Sequence, residues 1–314
     1  APAGVSRLPL QSTLCPKSTM FFNTAFQKNH YESRLIQFMK KIGNICDENK
    51  LQVTVKMKHF ENPKEREEMM QNLKIGAEFD MRYRGHYLFY GKDFISYKLE
   101  RPYDKDRNEF LRIISNFMSN VLEDDCPSSW KKCKRPFWEE LIFTHLPHVT
   151  RITPDQKQVE TFLSQLKMFV QWLDKRVGTN WFPVVDKYSK EAASDLKICE
   201  QVLNALFLRD FPQIHQKGFS PKQDVEKIEQ SFKQCTKSLD SLFEVTSIID
   251  QITVLTEFNS NKTFYVKGLP TQLIIPGLIM NGALGRKGGT LLWEWFQSEG
   301  VYPQKGRKYL KLKS

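Results

Sequence analysis

The sequence predicts an α+β protein in which an N-terminal domain of helices and an antiparallel meander is followed by a mostly helical domain. Three observations carry this. Residues 51–58 alternate apolar and polar strictly, the period of a strand with one buried face. Between 79 and 99, three aromatic-rich runs (79–83, 86–90 and 94–99) are separated by Arg84-Gly85 and Gly91-Lys92, where glycine supplies the backbone freedom of tight turns. From residue 153 onward, apolar residues recur mainly at helical spacing.

Along the chain, residues 1–28 mix Pro, Ser and Gly with little periodicity and read as an extended arm. A first helix follows, with Asn29 as N-cap, Glu32 completing a capping box, and Leu35, Phe38, Met39, Ile42 and Ile45 on one face to about Asp47. After the strand at 51–58, Pro63 opens a short charged helix to about residue 72, and the meander comes next. Helical spacing returns over 104–122 through Phe110, Ile113, Ile114, Phe117 and Val121. Residues 126–135, with Pro127, Ser128 and Ser129, read as a surface loop. The division into a 29–149 domain and a 150–314 domain falls near Val149 to Thr153.

In the second half, Thr153-Pro154 reads as an N-cap and first helical residue, followed by Val159, Phe162, Leu163, Leu166, Phe169, Val170 and Leu173 on one face, with Gly178 as the stop. A second helix covers about 189–208. A third starts at Ser220-Pro221-Lys222-Gln223 and runs through Val225, Ile228, Phe232, Cys235, Leu239 and Leu242, so a helical bundle is expected. Near the end, residues 271–284 read as a helix interrupted at Pro276, 285–289 as a glycine-rich loop, and Thr290 as the cap of a short helix over 291–297. Residues 301–310 then read as a hairpin turning at Lys305-Gly306. Helix, glycine, then basic hairpin resembles the end of a winged helix, in which a helix enters the major groove while the hairpin meets phosphates; the competing and better reading is a packed terminal hairpin with a solvated basic tail.

Composition limits the class. The chain has 314 residues, 40% hydrophobic and 12% aromatic, enough apolar surface for one large core or two ordinary ones and too much for a disordered chain. Its 47 basic residues against 36 acidic ones leave a charge of +11, which favours anionic partners (nucleic acid, acidic protein surfaces or anionic lipid) without choosing among them. Six cysteines spread over this length do not form a disulfide scaffold; they read as free thiols and point to a nuclear or cytoplasmic address. The sequon Asn261-Lys262-Thr263 therefore carries no weight. No run of about twenty apolar residues is present, so no membrane span is expected. A chain beginning at Ala1 reads as a segment of a longer protein.

The candidate phosphate contacts fall in three groups. Lys131, Lys132, Lys134 and Arg135 lie beside Trp130 and Phe137, interleaving charge with stacking surface as single-strand binders do. Arg286 and Lys287 sit in the glycine-rich loop, expected to precede a helix N-terminus that favours anions. Lys305, Arg307, Lys308, Lys311 and Lys313 form the basic hairpin and tail. Cys126, Cys133, His145 and His148 offer the ligand types of a zinc site as C-x6-C-x11-H-x2-H, but the first spacing is wider than in common fingers, and loop thiols with surface histidines are the better reading. Glu78 and Asp80, alternating on a predicted strand, have the form of a magnesium-holding carboxylate pair for phosphotransfer, without a third carboxylate. No nucleophile elbow, H-E-x-x-H helix, dinucleotide fingerprint or kinase signature is present.

The expectation is therefore a non-enzymatic nucleic-acid-binding or scaffold protein that contacts phosphates through basic surfaces and needs no cofactor. Two alternatives stand beside it: a protein-interaction subunit docking through helix faces between 153 and 248, and a metal-dependent phosphotransfer enzyme using Glu78 and Asp80.

Overall fold

The computed structural model describes residues 62–310, so the arm, first helix and strand expected within 1–58 lie outside the described residues. Asn62 opens helix α1 (Pro63–Ala77): its side chain accepts the Glu65 backbone N–H at 2.9 Å, with proline in the first turn. Where a meander was expected, the chain forms a 3-10 turn (Tyr83–Tyr87) and then helix α2 (Phe89–Glu100). The buried residues Tyr90, Phe94, Tyr97 and Lys98 recur at helical spacing, so the aromatics from Tyr90 onward line one helix stripe. Neither Gly85 nor Gly91 has a positive φ. Gly91 serves close packing instead, because a Cβ there would lie 2.3 Å from the Gly85 carbonyl oxygen.

Helix α3 (Lys105–Asn116) starts at Asp104, whose carboxylate caps the Arg107 N–H at 3.0 Å, and continues into a π-helical turn (Phe117–Val121). Residues 126–135 are more than a surface loop: Trp130 and Cys133 are buried. Helix α4 (Arg135–Glu140) runs through a second π-helical turn (Leu141–His145) into helix α5 (Leu146–Val149).

Helix α6 (Gln158–Val177) begins later than its expected cap at Thr153, but it buries the expected face and stops at Gly178, where φ is +71°. Asp174 then organises the corner into helix α7 (Phe182–Asp210), accepting from the Thr179 hydroxyl at 2.7 Å and from the backbone N–H groups of Trp181 and Phe182 at 2.9 and 2.8 Å. Val185, Ala192 and Leu196 of α7 belong to the core of the helical part, whereas Cys199, Val202, Leu203 and Leu206 belong to a second core shared with the C-terminal strands. One helix thus spans both cores.

The second half is a helical bundle only in part. Helix α8 (Lys222–Lys233) starts as expected, but from Cys235 the chain becomes a closed five-stranded barrel, and no winged helix forms among the described residues. Its strands are β1 (Cys235–Ile249), β2 (Ile252–Glu257), β3 (Thr263–Lys267), β4 (Ile279–Lys287) and β5 (Trp293–Tyr302), in the order β1-β2-β3-β5-β4. Strand β1 pairs antiparallel with both β2 and β4, and β3 lies parallel to β5. The expected helices at 271–284 and 291–297 are loop and strand, and the expected hairpin at 301–310 is the end of β5 followed by a 3-10 turn (Gln304–Tyr309).

Strand β1 misleads because its middle, residues 241–243, is buried on both faces. Leu239, Phe243 and Val245 point into the barrel, while Leu242 packs outside against Ile279 and Tyr302, so alternation is lost and a helical spacing remains by accident.

Candidate nucleic-acid interface

Barrel alternation decides which side chains reach solvent. On β3, Phe264 and Val266 fill the core, so Tyr265 and Lys267 face outward; Tyr265 is 51% exposed. Tyr265 stands opposite Val254 of β2, and Lys267 opposite Glu294 of β5. The β1–β2 turn at Asp250 and Gln251 leads into β2 next to the end of β3, and the β4–β5 loop, 288–292, delivers β5 to the same place. The β1–β2 and β4–β5 connections therefore flank one edge of the β2–β3 face. Ile249, the last residue of β1, and Leu291, in the β4–β5 connection, are exposed, Leu291 at 88%.

The charge at this end is basic. Lys267 lies 2.8 Å from Glu294, and Lys287 lies 3.9 Å from the same carboxylate. The Arg286 guanidinium sits over the Trp293 ring at 5.3 Å. Residues 285–287 of the expected glycine-rich loop are the end of β4 and 288–289 lie in the β4–β5 connection, so Arg286 and Lys287 are strand residues and no helix N-terminus follows them.

The other candidates lie elsewhere. Lys131, Lys132, Lys134 and Arg135 are exposed, but their aromatic neighbours are not: Trp130 and Phe137 are buried, and Trp130 Nε1 donates to Asp93 at 2.8 Å. Lys305 pairs with Glu191 at 2.6 Å, Arg307 with Glu244, and Lys308 with Glu139 at 2.7 Å, so each tail cation faces a carboxylate of a different element. Because Arg135 and Glu139 are one turn apart on α4, Lys308 lies near the 131–135 group. Arg286 and Lys287 belong to the barrel end instead. Lys311 and Lys313 lie outside the described residues.

Glu78 and Asp80 do not share a strand face. Glu78 caps the end of α1 and pairs with the buried Lys98 at 2.9 Å, and Asp80 occupies a turn with φ of +55°. His145 is buried with Nε2 3.2 Å from the Ile113 carbonyl oxygen, and the partly buried His148 has Nδ1 2.8 Å from the Tyr302 hydroxyl, so neither is a surface histidine. Burial pushes His145 down to about 3, helped by nearby His148, and His148 down to about 4; it pushes the Cys126 and Cys133 thiols up to about 11 and about 12. Among the described residues, no three His, Cys, Asp or Glu side chains converge as metal ligands, and no helix is long and apolar enough to cross a membrane.

Sequence reasoning passed over Tyr265 and Lys267. Their only signal is the short alternation Thr263-Phe264-Tyr265-Val266-Lys267, which becomes one outward face only when the barrel closes. The strand order is that of the five-stranded oligonucleotide/oligosaccharide-binding barrel, whose ligands lie across strands 2 and 3 between these same two loops. Compared with known proteins, the chain matches no family model, no curated protein sequence and no solved structure.

Proposed function

We propose that this protein binds single-stranded nucleic acid, without catalysis, across the outer face of β2 and β3. The observation that carries the reading is the barrel's strand order together with the half-exposed Tyr265 beside Lys267, between the β1–β2 and β4–β5 connections. Fold likeness alone is an analogy, and the side chains supply the chemistry. An aromatic ring on a strand offers a stacking plane to any base, and flanking lysines and arginines meet the backbone. Arg286 and Lys287, at the end of β4, lie at the barrel end beside this face. Lys305, Arg307 and Lys308 contribute less, since each has a carboxylate of its own, whereas Lys267 and Lys287 share the one carboxylate of Glu294. Duplex binds more weakly, because its bases are already stacked and paired.

The test is a titration of labelled single-stranded and duplex oligonucleotides across a salt series, with the intact chain and a Tyr265→Ala variant. Loss of one stacked base costs about 1–3 kcal/mol. A variant that unfolds at the wild-type temperature and binds equally well removes the β2–β3 face from consideration.

The exposed Ile249 and Leu291 favour a second reading, in which the same loops dock a protein partner. A complex insensitive to salt, with no oligonucleotide binding, would select it.

A further inference from the structure

At the rim where β1 begins and β4 ends, the strand register sets two cations face to face. Lys237 pairs with Arg286 across the β1–β4 ladder, and residues directly opposite in an antiparallel pair share a face. The pair two residues further in, Leu239 and Leu284, lies in the barrel core, so the cations continue the inward-facing row just past the end of the core. A register shift between Cys235 and Lys237 leaves Thr236 as the extra residue, and its hydroxyl donates to the Arg286 carbonyl at 3.1 Å, which holds the two strands in this alignment.

Like charges in this position repel. Neither Lys237 nor Arg286 pairs with a carboxylate among the described residues. Arg286 is held instead by its contact with the Trp293 ring, at 5.3 Å. Close by, Lys267 and Lys287 share the single carboxylate of Glu294. Strand ladders do not need two unneutralised cations opposite each other, and a bound anion would turn their repulsion into attraction.

We propose that Lys237 and Arg286 form a clamp for one backbone phosphodiester of a single strand, with Trp293 orienting the guanidinium. The inference rests on the proposed nucleic-acid reading and adds a fixed point to it: the strand's backbone is gripped on β1 and β4 while its bases lie on β2 and β3. Arginine gives the phosphate two parallel hydrogen bonds, and the lysine ammonium adds a point charge from the opposite strand.

The experiment compares the intact chain with Lys237→Gln, Arg286→Gln and the double variant, using Lys222→Gln on exposed α8 as a control. Three quantities are read: the unfolding temperature without ligand, single-strand affinity across a salt series, and the rise in unfolding temperature caused by inorganic tripolyphosphate. The clamp predicts that Lys237→Gln leaves the free protein at least as stable as the wild type. It also predicts that each clamp variant weakens oligonucleotide binding and flattens the salt slope by about 0.7 per lost contact, while the control does neither. Tight wild-type binding with unchanged affinity and slope in the double variant overturns the clamp and leaves the nucleic-acid reading standing. No oligonucleotide binding, with a tripolyphosphate shift that the double variant abolishes, overturns the nucleic-acid reading and keeps the anion site. Absence of both responses overturns both.

Discussion

His148 shows how one side chain joins the two halves of the molecule. It sits on the short α5, and its ring lies parallel to that of Tyr302 at the end of β5, 6.3 Å between centroids, with Nδ1 2.8 Å from the hydroxyl. Burial holds His148 at about 4 and His145 at about 3, both below the value near 6.5 of an unfolded histidine. Between those values the unfolded chain binds protons that the folded chain refuses, so stability rises with pH. The contribution is complete above about pH 6.5 and is lost as pH falls toward about 4 for His148 and about 3 for His145. The unfolding temperature should therefore fall on acidification from about 6.5, and it should fall less steeply in His148→Asn. Identical pH profiles for the two proteins would show that His148 is not the titrating group. The sequence could not place either histidine, because a pair three apart on a helix does not announce which neighbour will cover it.

Among the elements, α6 was legible and α2 was not, for related reasons. Helix α6 buries one face and exposes the other, so Val159, Phe162, Leu166, Phe169 and Leu173 spell out the period, and Gly178 ends it. In α2, Tyr97 and Lys98 are both buried, as are Phe94 and Ile95, and the adjacent aromatics blur the stripe. The glycines that suggested turns are there for packing, and Gly91→Ala should destabilise the protein by more than about 2 kcal/mol, since the added methyl meets the Gly85 carbonyl at 2.3 Å. Asp174 has no motif at all, yet it satisfies three donors at the α6–α7 corner. Asp174→Ala should cost about 1–2 kcal/mol by loss of this cap, and Asp174→Asn should recover part of it. Denaturant unfolding checks both, and an unchanged midpoint for Asp174→Ala would mean that the corner is held by its apolar contacts alone.

At the scale of the whole molecule, α7 and the last turn bind the helical part to the barrel. Residues of α7 enter both cores, and the 3-10 turn after β5 returns to the surface with Lys305 on Glu191 of α7, Arg307 on Glu244 of β1 and Lys308 on Glu139 of α4. These pairs are partly exposed, so each is worth at most about 1 kcal/mol and is weakened by salt. Replacing Glu139, Glu191 and Glu244 together with Gln should lower the unfolding temperature by a few degrees at low salt and by less at high salt. A loss of equal size in both conditions would show that the carboxylates act through hydrogen bonding rather than charge. A chain ending at Gly300 would not isolate the tail cations, because it also removes Val301 and Tyr302, which pair with Met280 and Ile279 of β4.

The sequence by itself determined the charge, that helix and sheet are both present though in the opposite order, the helices α3, α6 and the body of α7 that bury one face, and the starts of α1 and α8. These come from local periodicity, capping residues and composition, which need no knowledge of distant contacts. Only the tertiary structure decided that residues 235–302 close into a barrel, that the tail cations meet carboxylates, and that Tyr265, Lys267, Lys237 and Arg286 share one end of it. The physical reason is that a strand takes its identity from the partners on either side and from the groups that cover its two faces. Where both faces are buried, as at residues 241–243 of β1, the one-dimensional pattern vanishes, and any surface built on such strands vanishes with it.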